Sequence, residues 1–218
     1  MAASGPTTLR QVRERELVTA TRRLFDERGV QEAPIEEIAR AAGIARGLIY
    51  RQFSSKDELY VLTVTDYLDE LAVHLEAATA GGGGAPAQAR RNVEAFARFC
   101  GRYPAFLDCA LSLMQRPARE LHGLVSESVW LRLGEGMARC TATIADVLRA
   151  GAADGSLDVE DPDVMANVLW TQTLGTMHLA RIGAGMRRDA QQVPELFTIA
   201  ADDVVAACVR NALRAIGA

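Results

Sequence analysis

Two glycines fix what the first quarter of this chain can become. Gly29 closes an amphipathic segment in which Leu17, Ala20, Leu24 and Phe25 recur on one face, and Gly43 separates two further short segments. Helices of about two turns are marginal alone. These hold only by packing, through Ile35, Ile38, Ala39 and Ala42 on the first and Ile44, Ile49 and Phe53 on the second. Two helices joined by a tight glycine turn, the second short and open on its outer face, form the helix-turn-helix that lays a helix in the DNA major groove.

The charge of that outer face points the same way. The chain's formal net charge is −4, yet from Ile38 through Lys56 there is no acid, while Arg40, Arg46, Arg51 and Lys56, the only lysine, all fall there. Residues 1–60 hold 10 basic against 9 acidic side chains, and residues 61–218 hold 14 against 19. Salt limits electrostatic reach to about 8–10 Å, so a local cationic window attracts phosphates on a molecule that is acidic as a whole.

Length and composition set the rest of the frame. At 218 residues the chain buries a core without staples, and its apolar residues (49%) are dominated by Ala and Leu, which predicts an all-α protein. Periodicity and punctuation give about nine helices in all, over 8–28, 34–42, 45–52, 55–80, 86–102, 104–115, 117–151, 162–182 and 194–216. Pro34, Pro86, Pro104, Pro117, Pro162 and Pro194 stand in their first turns, with Asp161 capping the eighth. The expected organisation is an N-terminal three-helix domain at 8–54 and a larger helical domain at 55–218, the helix near 55–80 connecting them. The glycine run at 81–85 lacks the Gly-Lys-Ser/Thr and preceding strand of a phosphate cradle and reads as a connector.

Several function classes drop out. Cys100, Cys109, Cys140 and Cys208 form no C-x-x-C pair and have no histidine at ligand spacing, which predicts buried free thiols and neither a metal nor a disulfide framework. No apolar leader opens the chain and no segment reaches about 18 uninterrupted apolar residues, so a cytoplasmic protein without membrane partners is expected. For an enzyme the chemistry is missing: there is no G-x-S-x-G elbow, the histidines have no evident partner, and Asp202 and Asp203 diverge on a helix. No cofactor is called for.

The stretch Leu17–Leu59 carries three spaced motifs: LF-x-x-x-G at Leu24–Gly29, IA-x-x-AG at Ile38–Gly43, and G-x-x-Y-x-x-F-x-x-K-x-x-L at Gly47–Leu59. In these it resembles the TetR family of bacterial transcriptional regulators. The resemblance implies a homodimer with two DNA-reading heads, most often a repressor on a palindromic operator, and a C-terminal helical domain that dimerises and binds a small effector. The DNA-contacting positions are then Arg40, Ala45, Arg46, Gly47, Leu48, Tyr50, Arg51 and Lys56, with the arginines on phosphates or guanine edges and Tyr50 and Lys56 on the backbone. Members usually carry Ser or Thr where this chain has Pro34, Ala45 and Leu48. Either DNA affinity is modest or charge replaces the missing hydrogen bonds, steepening the salt dependence. A binding module of this fold with weak or lost DNA binding is the alternative.

For the effector, Phe106, Met114, Trp130, Met137, Trp170 and Met177 supply apolar surface and Gln172, Thr173 and His178 polar anchors, which suits an apolar or aromatic ligand. The final helix is apolar over most of its circumference, so Phe197, Ala201, Val204, Val205 and Cys208, with Leu174 and Ile182 on the helix before it, are expected at the dimer interface.

Overall fold

The computed structural model describes residues 9–29 and 34–218. Ten helices and one two-stranded sheet make up its regular structure among the described residues. The first seven helices are α1 (Leu9–Arg28), α2 (Ile35–Ala41), α3 (Arg46–Gln52), α4 (Lys56–Thr79), α5 (Ala85–Arg102), α6 (Pro104–Met114) and α7 (Ala118–Leu124). Then come α8 (Glu127–Asp154), α9 (Pro162–Ile182), strands β1 (Ala184–Arg188) and β2 (Pro194–Thr198), and α10 (Ala201–Ala215). The expected first helix opens at Thr8, which lies outside the described residues. No described helix is long and apolar enough to cross a membrane.

The chain divides into two compact units, one of residues 1–67 and 108–135, the other of residues 68–107 and 136–218. In the first, α1, α2 and α3 meet through Leu17, Leu24, Phe25, Ile38, Ile49 and Phe53, all buried. Gly43 adopts φ +67°, the left-handed conformation that lets the chain turn sharply between α2 and α3. Polar contacts add to this core: the Tyr67 hydroxyl donates to Asp26 at 2.6 Å, and Arg22 lies over the Tyr67 ring while pairing with Asp66 at 2.7 Å.

The second unit packs α5 against α9 and α10. Phe96, Phe99, Phe106, Trp170, Leu174, Met177, Cys208 and Leu213 are buried in it. Asp161 caps α9 by accepting from the N–H groups of Asp163 and Val164, both at 3.0 Å. All four cysteines are free and buried, and burial pushes the Cys109 and Cys140 thiols up to about 12, so they stay protonated and unreactive.

Two expectations need correction. The single helix over 117–151 is two: Val125 turns extended (φ −129°, ψ 158°) and Ser126 starts α8 by accepting from the N–H groups of Val129 and Trp130. The last helix begins at Ala201, because 194–198 is β2, paired antiparallel to β1 with Gly185 opposite Phe197 and Met186 opposite Leu196. Pro194 suits a helix start and an edge strand equally well. What decides is tertiary: a Cβ at Gly185 would come within 2.7–2.8 Å of Phe197 and Ile199, so only glycine lets that ring lie across the hairpin. At the tip, Asp189 accepts from the N–H groups of Gln191 and Val193.

Candidate nucleic-acid interface

α3 is anchored by little and exposes much. Ile49 and Phe53 are sunk into the first unit, at 1% and 3% exposed, while Ala45, Arg46, Gly47, Tyr50 and Arg51 face solvent and Leu48 is half-buried. Tyr50 is 49% exposed, against what an aromatic ring would choose for stability alone. Arg40 on α2 and Lys56 at the start of α4 are exposed too. Neither α2 nor α3 has a side-chain cap, Pro34 and Ala45 standing where a hydroxyl or carboxylate would accept from the first turn. Gln52 ties the far end of α3 to α1, donating to the Arg10 carbonyl at 3.0 Å.

One residue at this surface was not visible in the sequence. Glu36, on the first turn of α2, pairs with Arg46 across the turn at 2.6 Å, and Arg46 also lies 5.7 Å from the Tyr50 ring centre. Its contact with Tyr50 and then the Glu36 charge hold the guanidinium above its ordinary pKa. The acid-free window is therefore a property of the sequence and not of the surface. Glu37 is likewise engaged, by Arg28. A hint was available, since an acid one residue into α2 lies next to the residue that opens α3 whenever the turn between them is tight.

The exit from α3 is held by hydrogen bonds. Ser55 Oγ accepts from the Glu58 N–H at 3.0 Å, and the Glu58 carboxylate accepts from the Ser54 N–H and Oγ at 2.5 and 2.6 Å and from the Ser126 hydroxyl. Ser55 thus caps α4 while Glu58 reaches back to the residue before the cap, a variant of the capping box joined to the residue that starts α8. Burial pushes the Glu58 pKa up, but the bonds from Ser126 and Ser54 outweigh it and hold it below the usual carboxylate range.

The effector candidates do not assemble as a set. Trp170 and Thr173 line a small, partly open cavity of about 10 Å³ in the second unit, together with Asn92, Val93, Phe96, Cys140, Ile144 and Leu169. Phe96 stacks on Trp170 at 4.4 Å between centroids, and Phe106 lies beyond it at 6.4 Å. Met177 is buried beside Gly101. Gln172 instead lines an open groove on the outside of α9, and Met137 and His178 are exposed. Met114 and Trp130 belong to the first unit, Trp130 against the His122 ring at 5.2 Å. Asn92, missed in the sequence, is buried on the apolar face of α5 and donates to Thr143 Oγ1 at 2.9 Å. A lone amide within that face was the available signal.

Of the expected dimer residues, Leu174, Val204, Val205 and Cys208 are buried within the protomer, packed between α9, α10 and α5. Ala201 and Ile182 are exposed and Phe197 is half-buried on β2. The face α9 leaves open is the opposite one, where Val164, Val168, Thr171, Gly175, Leu179 and Ile182 follow one another at spacings of three and four.

A short, shallowly anchored cationic helix behind a tight glycine turn defines this as a helix-turn-helix DNA-binding protein. The model of the family "Bacterial regulatory proteins, tetR family" matches residues 17–62. The transcriptional repressor KstR2 of Rhodococcus jostii is 30% identical over 152 residues, covering 68% of this chain and 71% of that protein. The chain belongs to the TetR family, and is a transcriptional regulator with a DNA-binding helix-turn-helix. Its match to the regulator HbdR of Aromatoleum sp., 39% identical over 57 residues, spans only 25% of that relative's length. In fold it is similar to RolR, solved in complex with resorcinol, with a TM-score of 0.66 and 19% identity over 95% of this chain and 89% of that one.

Proposed function

We propose that this protein is a cytoplasmic, homodimeric repressor that binds a palindromic operator through α3 and leaves it when a small apolar or aromatic ligand enters the second unit. Residues 8–54 read DNA and residues 55–218 hold the effector and the second copy. The observation that carries the reading is the outer face of α3, where Tyr50 and Arg51 stand exposed beside the cations Arg40, Arg46 and Lys56. The repressor sign is supported by KstR2, and the aromatic ligand class by the resorcinol of RolR and by Phe96 and Trp170 lining the small cavity. With room for about one water, that cavity takes a ligand only by parting Phe96 from Trp170. The two states then differ in ligand affinity, as a population shift requires. The dimer seam is the exposed stripe of α9, and it sets the two reading heads a whole number of helical turns apart. The protein has no catalytic role.

A salt titration of binding to the DNA upstream of its own coding sequence tests the proposal. Affinity should fall steeply with salt, and Tyr50→Ala should weaken it; binding indifferent to both would reject the reading. A second reading, a ligand-binding module with weak DNA affinity, is favoured by the pairing of Arg46 with Glu36 and by the uncapped α2 and α3. A gel shift with the same DNA at low salt separates the two.

A further inference from the structure

The hairpin between α9 and α10 has two unlike faces. On one, Phe197 lies against Gly185 and Ile199 and is covered by the Arg187 guanidinium, 5.2 Å from the ring centre, which Glu195 holds at 2.5 Å from the opposite strand. On the other, Met186 and Leu196 stand directly opposite one another and are 64% and 71% exposed, with Val193 at the tip 55% exposed. A lone two-stranded hairpin is marginal in water, and one that holds an apolar cross-strand pair in solvent is made to be covered.

We propose that this hairpin is an arm that clasps a second copy of the chain, an inference that rests on the α9 stripe being the dimer seam. Three features point to that occupant. The first is continuity: Ile182 ends both α9 and its exposed stripe, and the hairpin starts two residues later at Ala184. The second is area. A stable interface draws roughly 20–30 residues from each side, and the six stripe positions fall far short without an adjoining apolar surface. The third is self-complementarity. In an antiparallel two-fold crossing centred between Thr171 and Gly175, Val164 meets Ile182 of the copy and Val168 meets Leu179. Each hairpin then lies beside residues 158–163 of the other chain, where Asp158 and Glu160 are exposed. Arg188, exposed at the end of β1, brings the opposite charge.

The test is sedimentation of the full chain over a dilution series, with three variants. Met186→Glu/Leu196→Glu should raise the dimer dissociation constant at least tenfold, and Arg188→Glu should raise it severalfold. Adding Glu160→Arg to Arg188→Glu should recover most of that loss. Val168→Glu, on α9 alone, reads out the seam. If Val168→Glu dissociates the dimer while the hairpin variants sediment like the native chain, the arm is refuted and the seam stands. A native chain that is monomeric at micromolar concentration refutes both, and hairpin variants that lose the native helical signal count only through the charge-swap pair, whose failure to recover refutes the arm.

Discussion

α3 and α9 are both helices of one small protein, and they are built on opposite terms. α3 has seven residues, one of them buried, and no side-chain cap. α9 has 21, capped by Asp161 at one end and by left-handed Gly183 at the other, with Ala166, Leu169, Trp170, Thr173, Leu174 and Met177 buried along one side. A helix that must offer its side chains to another molecule gives up the packing and capping that would make it stable by itself. The scaffold carries that cost, so the outer residues of α3 are nearly free of structural duty.

Substitutions in the two helices should separate these roles. The largest effects belong to the anchors: Ile49→Ala and Leu174→Ala should each cost about 2–5 kcal/mol in denaturant unfolding. Of the two, Ile49→Ala should also lose operator binding under conditions where the protein is still folded, because Ile49 is the one buried side chain within α3. Equal DNA binding by the two variants would remove the distinction. Next come the outward residues. Tyr50→Ala and Arg51→Ala should weaken operator binding by about 1–3 kcal/mol, roughly five- to 150-fold, with the melting temperature unchanged. A matching fall in melting temperature would make them structural.

The caps come third. Asp161→Ala should cost about 1 kcal/mol of stability, and Ala45→Ser should return a similar amount by capping α3, readable as a higher denaturant midpoint. A midpoint unmoved by Ala45→Ser would show that capping is not what limits that helix. A smaller effect is expected from acid. Because Glu58 titrates below its ordinary value in the folded chain, its contribution is complete above the unfolded glutamate pKa of about 4.3 and fades as pH falls through the lower folded value. Stability of Glu58→Gln should therefore vary less than that of the native chain below that pH, and parallel curves would contradict the hydrogen-bonded cap. Smallest is Glu36→Gln, which should tighten DNA binding at low salt by releasing Arg46, an effect that vanishes at high salt.

What could be read in the sequence was local. The starts and stops of α2, α3, α5 and α9 follow from Pro34, Gly43, Pro86 and Asp161, and the inward residues of α3 from their spacing. What could not be read depends on which side of a two-sided pattern meets its own chain. α10 is apolar over most of its surface, so Val204, Val205 and Cys208 suited a second copy as well as they suited α5 and α9. Pro194 fitted two kinds of element, and the choice lay with Gly185, nine residues earlier in the chain. The break at Val125 left no mark that periodicity detects, since α7 and α8 are each helical up to it. Glu36 looks in sequence like any acid favouring a helix start, and its neighbour in space is ten residues on.

The pairing of Glu36 with Arg46 bears on how such a protein searches a chromosome. Any phosphate that Arg46 meets must first displace a carboxylate already in place, so random sequence gains less from that arginine than its charge suggests. A guanine edge, which accepts two hydrogen bonds from one guanidinium, gives back more than a lone phosphate oxygen. On the proposed reading, in which Arg46 contacts DNA, the built-in counter-charge would act on residence time, shortening each stay on the wrong sequence.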